Sequence, residues 1–427
     1  MVVPWVPVLP RIRGTCYPTQ FVLTERTGSP MSDMYRQSAH VDLTEAWQQL
    51  RRKRVSHALL DEQSGQTIPV LSHYSDVRAA LQGSGQEGDD FVNRSTLLPL
   101  YLPCPEALTV LSELGAEPVT AAGDPPFHPQ MRAALESVFP WKRSHVASYA
   151  RVIEGIVTEL LDSRIGETVE LVDQFAAELP LRVILHLIGA PAGDGAQIRK
   201  WSDGQIHFIW GRPEPAEQVR LAHNLVAFWL YCLELAENNP PPHSITARLL
   251  AAGVTTNQAA SFAFNLLVAG HETTRNLIVN MLFLLLVKPQ RWQRLLDQPA
   301  LVPIAVAETN RYMPPIIAWL RETARDVTID DELLPAGTRI LAHIAAANRD
   351  MPGGDDFDLI TRPRRPLSFG GGPHYCIGAA LAVQEAETAL RVMLTRFRNL
   401  ALTQNYTPRC EENIGFHAPS ELWVTNG

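Results

Sequence analysis

Ten residues near the C-terminus, FGGGPHYCIG (Phe369–Gly378), decide how this chain is read. Three consecutive glycines admit backbone conformations and close approaches that side chains forbid, and Pro373 stiffens the turn. The following segment, AALAVQEAETALRVMLTRF, has a strong helical pattern that begins near Gly378. Cys376 is therefore expected just before a helix N-terminus, where partial positive charge favours a thiolate. A thiolate held by backbone amides is a good ligand for iron. A lone cysteine is more commonly a small buried hydrophobe, so the rest of the chain has to decide.

The other four cysteines, Cys16, Cys104, Cys232 and Cys410, are scattered, and no CxxC pair occurs. That argues against a disulfide framework or a structural zinc site and fits a reducing cytoplasm. A length of 427 residues is ample to bury a cofactor. The net charge of −8 argues against a nucleic-acid partner held by an overall basic surface. The N-terminal MVVPWVPVLPRIRG is broken by prolines, and its positive charges follow its apolar part, the reverse of a signal peptide. We expect residues 1–30 to be an unstructured extension and 31–427 to be a single catalytic unit. The longest nearly apolar run, Leu277 to Val287, is too short to span a bilayer. No membrane partner is expected.

Apolar residues at three- and four-residue spacing predict helices over Ser144–Leu160, Asp173–Leu187 and Gln218–Ala236. Strand signals are few. Val327 to Ile340 alternates around a PAG turn and predicts a hairpin, as does Ser56 to Val70 around SGQT. The fold class is mainly α, with one small β-rich region near the N-terminus.

The segment from Asn257 to Val287 predicts a helix about 45 Å long, apolar nearly all round and hence buried. Its centre reads AGHETTRN (Ala269–Asn276). His271–Glu272 invites a zinc-protease reading, but HExxH needs a histidine at 275 and Arg275 stands there. A threonine hydroxyl can bond the carbonyl four residues back and bend the helix, and Gly270 permits a close approach. Taken alone, Glu272 and Thr273 either satisfy a kink or relay protons into an apolar site.

The spacing F-x-x-G-x-x-x-C-x-G resembles the haem-binding loop of the cytochrome P450 family. The resemblance implies a P450 fold and haem b as cofactor. It makes Cys376 the axial thiolate, pushing electron density towards O–O cleavage, with Phe369 packed beside the sulfur and Gly378 closing the loop. AGHETT resembles the family's acid–alcohol motif, implying that Glu272 and Thr273 deliver protons while Ala269 and Gly270 line the distal haem face. DPPFHPQMR is similar to the family's DPPxHxxxR helix start; with Arg321 and His374, His128 and Arg132 would then hold the propionates. ETNR (Glu308–Arg311) is similar to ExxR, whose glutamate and arginine form a structural ion pair with a later arginine, here Arg362. MPGGDD is shorter and richer in glycine than the family's usual segment, and Pro366 and Val383 replace residues common in bacterial relatives.

Mapping by order places substrate contacts in Phe91 to Ala122, Trp201 to Trp210, around Ala269, Ile316 to Leu320 and Ile414 to His417. These supply Phe208, Trp210, Trp319 and Phe416, a set suited to a hydrophobic, ring-containing substrate. The expected reaction is a monooxygenation by C–H hydroxylation, with O2 as co-substrate. Ring coupling, demethylation, peroxide-driven oxidation and a haem sensor without turnover are the alternatives. No flavin or iron–sulfur motif occurs, so electrons would come from a separate ferredoxin and reductase, with Arg364 and Arg365 as a docking patch. The expected species is a cytoplasmic monomer.

Overall fold

A computed structural model of the chain describes residues 42–426 except 62–65, 84–87, 94, 118–119, 165–167, 363 and 412. The expected extension at 1–30 lies outside the described residues. Seven helices position the site: α1 (Phe127–Val138), α2 (Glu178–Ile188), α3 (Gly195–Trp210), α4 (Pro215–Glu237), α5 (Thr256–Leu286), α6 (Val302–Tyr312) and α7 (Ala379–Arg396). The long α5 forms where the periodicity predicts it. A capping box starts it, with the Thr255 hydroxyl accepting from Gln258 N and the Gln258 side chain accepting from Thr255 N. Helices α2, α3, α4, α6 and α7 all pack on it, so its apolar circumference is buried.

Two of the predicted helices are interrupted. Ser144–Leu160 divides into Arg143–Val146, a 3₁₀ turn at Ala147–Tyr149 and a helix at Ala150–Arg164. Asp173–Leu187 opens with a π-helical turn, Val172–Ala176, in which Ala177 N donates to Val172 O. Pro180 accounts for the widening: it has no N–H, and its ring crowds the preceding turn.

The β structure is more dispersed than one N-terminal region. Strands β1 (Val55–Asp61), β2 (Gln66–Leu71), β3 (Phe91–Val92), β4 (Trp319–Thr323) and β5 (Arg339–Ala342) form one sheet in the order β1-β2-β5-β4-β3. The N-terminal hairpin is antiparallel, with Ser56 opposite Val70, and β2 runs parallel to β5. Two smaller sheets use Thr168–Glu170, Leu400–Leu402 and Trp423–Asn426, and Val327–Ile329 with Glu332–Leu334. The second predicted hairpin therefore turns at Asp330–Asp331, not at PAG, and Asp330 adopts φ 53°. Past PAG the chain leaves the hairpin to enter the large sheet as β5.

Candidate active site

The cysteine loop is fastened to itself by Cys376 N donating to Phe369 O at 2.9 Å and Tyr375 N to Gly372 O at 3.1 Å. Gly370 and Gly372 have φ of 72° and 59°. A Cβ on Gly372 would stand 2.8 Å from Gln82 O, at the end of the Tyr74–Gln82 helix, so glycine is needed there for conformation and for space. Helix α7 starts at Ala379 with no side-chain cap. The N–H groups of Gly378 and Ala379 lie at the Cys376 sulfur instead, Ala379 N also donating to Cys376 O at 3.4 Å. Surrounding protein raises the thiol pKa, while those amides and Arg132 pull it down. Cys376 nonetheless remains exposed: its sulfur fronts an open space. The Phe369 ring meets Tyr375 edge-on at 6.4 Å.

Above the loop lies a cluster of nitrogen groups with few opposing charges. The His128 and His374 rings lie 4.0 Å apart, and the Nε2 atom of each is buried without a hydrogen-bond partner. Burial, then the neighbouring His128 and Arg321, push His374 down to about 3; burial and Arg132 lower His128. Strand β4 carries Arg321 into the interior, where it donates to Ala80 O, Leu320 O and Thr96 Oγ1. Burial lowers its pKa to about 9, and Asp124 is the opposing charge. Arg132 is committed within the protein, its Nη1 donating to Tyr375 O at 2.7 Å and its Nε to Glu136 at 2.6 Å. In this arrangement it braces the cysteine loop.

On α5, Thr273 Oγ1 donates to Ala269 O at 2.9 Å, the four-residue back-bond expected from sequence. Ala269 is exposed and Thr273 half-buried in a helix whose neighbouring residues Leu267, His271 and Glu272 are buried. That row is accessible rather than packed against a neighbouring element. Gly270 points elsewhere: a Cβ there would lie 2.8 Å from Ile184 of α2. Its smallness serves helix packing rather than the cofactor-lining role expected of it. Glu272 is buried with its Oε2 3.0 Å from Arg275 Nη2 and its Oε1 3.0 Å from His271 Nε2. Burial would raise its pKa, but Arg275 and His271 outweigh that and hold the carboxylate well below the usual range.

Comparison with known proteins decides the family. No family model matches the chain. It is 32% identical to the mycinamicin IV hydroxylase/epoxidase of Micromonospora griseorubida over 70% of this chain and 78% of that one. It is 30% identical to the 6-deoxyerythronolide B hydroxylase of Saccharopolyspora erythraea over 87% and 92%. A solved structure of cytochrome P450 CREJ with (4-ethylphenyl) dihydrogen phosphate superposes with a TM-score of 0.81, at 29% identity, covering 92% of this chain and 99% of that one. The chain belongs to the cytochrome P450 family. It is a monooxygenase of the oxidoreductase class, and its helical architecture is the P450 fold.

The residues present fit the haem that P450 membership implies. A sulfur fronts open space beside backbone donors, and two partnerless buried imidazole nitrogens and a buried guanidinium stand ready for carboxylates.

The P450 ion-pair motif is closed by its own backbone. Arg311 Nε and Nη2 fork onto the two oxygens of Glu308 at 2.7 and 2.8 Å. Its remaining donors reach Gly354 O at 2.6 Å and Asp356 O at 2.7 Å, and Arg362 Nη2 completes the cluster 3.3 Å from Glu308. The short MPGGDD segment makes this reach possible. A Cβ on Gly354 would fall 2.1 Å from Arg349 O, and Gly353 has φ 63°.

The four aromatics expected at the substrate do not meet. Trp210 and Trp319 have ring centroids 5.7 Å apart. Phe416 packs into the same cluster beside Gly415, whose Cβ would lie 2.4 Å from the Trp210 ring. Phe208 is buried instead in the helical core around α4 and α5. Sequence reasoning also missed Asp203 on α3, which lies 3.9 Å from Arg275, the ion-pair partner of Glu272. A residue so far from the motif carries no signal in the sequence.

Proposed function

We propose that this P450 hydroxylates a C–H bond of a small hydrophobic organic substrate, with haem b bound through Cys376 and electrons from a separate ferredoxin and reductase. The observation that carries the reading is the pairing, within one chain, of an open cysteine loop with a charged acid–alcohol pair on α5. When bound, haem supplies the oxidising chemistry that no protein side chain provides. Cys376 holds the metal, the Gly378 and Ala379 amides stabilise the sulfur's charge, and His128, His374 and Arg321 take the propionates. No CxxCH motif is present to tether the group covalently, which supports haem b.

The Thr273 hydroxyl spends its proton on Ala269 O, leaving its lone pairs free to accept a hydrogen bond in the open space. Glu272, kept ionised by Arg275, takes up and passes on protons. The aromatic cluster of Trp210, Trp319 and Phe416 supports an apolar substrate. Arg364 and Arg365 are exposed, Arg365 stacking over Tyr375 beside the cysteine at 4.5 Å, which supports docking of an acidic ferredoxin there. Among the described residues no helix is long and apolar enough to cross a membrane, and we take the enzyme to work as a cytoplasmic monomer. The test is product formed per electron donor consumed. Replacing Thr273 by alanine is expected to keep donor consumption and lower that ratio roughly tenfold; an unchanged ratio would remove the proton-handling role.

A further inference from the structure

Two histidines face each other on a surface that the oxidation chemistry does not use. His186 lies in the last turn of α2, and His243 stands in the turn before the Ile245–Ala251 helix. Their ring centroids are 5.4 Å apart and their planes are inclined by 28°. Both residues are exposed, and with Tyr149 and Leu187 they line a cleft of about 350 Å³. Among the described residues no hydrogen bond or ion pair holds either imidazole, so their ring nitrogens are available to a ligand.

The backbone beneath both rings is fixed. Helix α2 ends at Gly189, which has φ 87°, and a Cβ there would stand 2.6 Å from Ser244 Cβ and 3.0 Å from Pro241 Cδ. Glycine thus lets the 241–244 turn close on the end of α2. Thr246 Oγ1 donates to Ile188 O at 2.8 Å, and Ser244 N donates to Pro241 O at 2.8 Å. Ser244 Oγ accepts from Ala247 N at 3.1 Å and caps the next helix. Pro240, Pro241 and Pro242 stiffen the approach to His243. The two histidines are therefore brought together by rigid elements before any ligand arrives, which lowers the cost of binding one.

Imidazole is a ligand for borderline divalent ions such as Zn²⁺. With Zn–N bonds of about 2.1 Å and a tetrahedral angle of about 109°, two ligating rings have centroids roughly 5 Å apart. The observed separation is close to that. Histidine χ2 is soft, so each ring can turn one nitrogen to a shared point without moving the backbone. Among the described residues no group of three or more His, Cys, Asp and Glu side chains is placed to hold a metal. The protein thus supplies two donors here, and the cleft has room for the waters that complete the shell, at about 30 Å³ each. We propose that His186 and His243 form a two-imidazole site for Zn²⁺, which staples the end of α2 to the turn leading into the Ile245–Ala251 helix. Since both ligands come together only in the folded chain, the ion stabilises that chain.

The test titrates zinc chloride into the untagged, full-length, haem-loaded protein by calorimetry, beside His186→Ala and His243→Ala. Both positions are exposed, and circular dichroism with haem absorbance checks that the variants are folded. The parent should bind Zn²⁺ at the pair, and each variant should weaken that binding at least roughly tenfold, the loss that even outer partners of a metal ligand carry. Zinc should raise the melting temperature of the parent by a few degrees and leave that of either variant unchanged. Magnesium, which takes oxygen ligands, should do neither. His243→Cys should restore the zinc-dependent rise, because a thiolate is also a zinc ligand. A parent that takes up no zinc overturns the proposal. So does an equal affinity and melting shift in the parent and both alanine variants, or a loss confined to one of the two.

Discussion

Replacing Arg311 by alanine probes the account where its energetics are best defined. The Glu308 and Arg311 side chains are 1% and 2% exposed, so neither charge has water to fall back on. Without the guanidinium, Glu308 keeps only Arg362 at 3.3 Å and the Asp358 amide at 3.2 Å. An uncompensated buried carboxylate costs about 3–5 kcal/mol. Gly354 O loses its 2.6 Å donor as well, adding about 1 kcal/mol, while Asp356 O retains Arg362. The sum, about 4–6 kcal/mol, is a large share of the roughly 5–15 kcal/mol that holds a protein folded. Arg311→Lys keeps the charge but not the fork, and should lose about 2 kcal/mol. Removing both charges in Glu308→Leu/Arg311→Met should be less damaging than the sum of the single changes. Urea unfolding, followed by circular dichroism and haem absorbance, measures the parent, the two Arg311 variants, the double variant and its two single components. A loss below about 1 kcal/mol for Arg311→Ala, or strict additivity in the double variant, would refute the reasoning.

Two further outcomes follow from the helix interface and from Asp203. Gly270→Ala should destabilise by about 1–3 kcal/mol through the clash with Ile184, and Ile184→Val should relieve part of it; thermal melts of the single and double variants check this. Asp203 has a folded-state pKa raised from 3.8 to about 8, so the folded state binds more protons across that window. Its contribution to stability therefore falls as pH rises from about 4 to 8. Asp203→Asn should gain relative to the parent over the same range, by about 1–2 kcal/mol once its exposure is allowed for. Denaturation at several pH values would show the gain, and a difference independent of pH would contradict it.

The sequence was most legible where chemistry is concentrated in short motifs. FGGGPHYCIG, AGHETT and ETNR are each bound to a function or a buried contact that tolerates few alternatives, and the loop, the long helix and the ion pair all appear as read. Long-range geometry was less legible. The hairpin after Val327 turned early because β5 pairs with β2 and β4, residues distant in the chain. The periodicity over Asp173–Leu187 ran through Pro180 and gave no sign of the π turn that precedes it. Gly270 sat in a cofactor motif, yet its smallness answers to Ile184 on another helix. The aromatics could be counted but not placed, because Phe208 and Trp210, two residues apart on α3, project into different clusters.

The most direct measurement of the central claim is the absorbance spectrum of the reduced, carbon-monoxide-bound protein before and after Cys376→Ala. The account predicts the red-shifted Soret band of a haem-thiolate in the parent, and its loss in the variant while circular dichroism still reports a folded chain. An unchanged band in Cys376→Ala would contradict it.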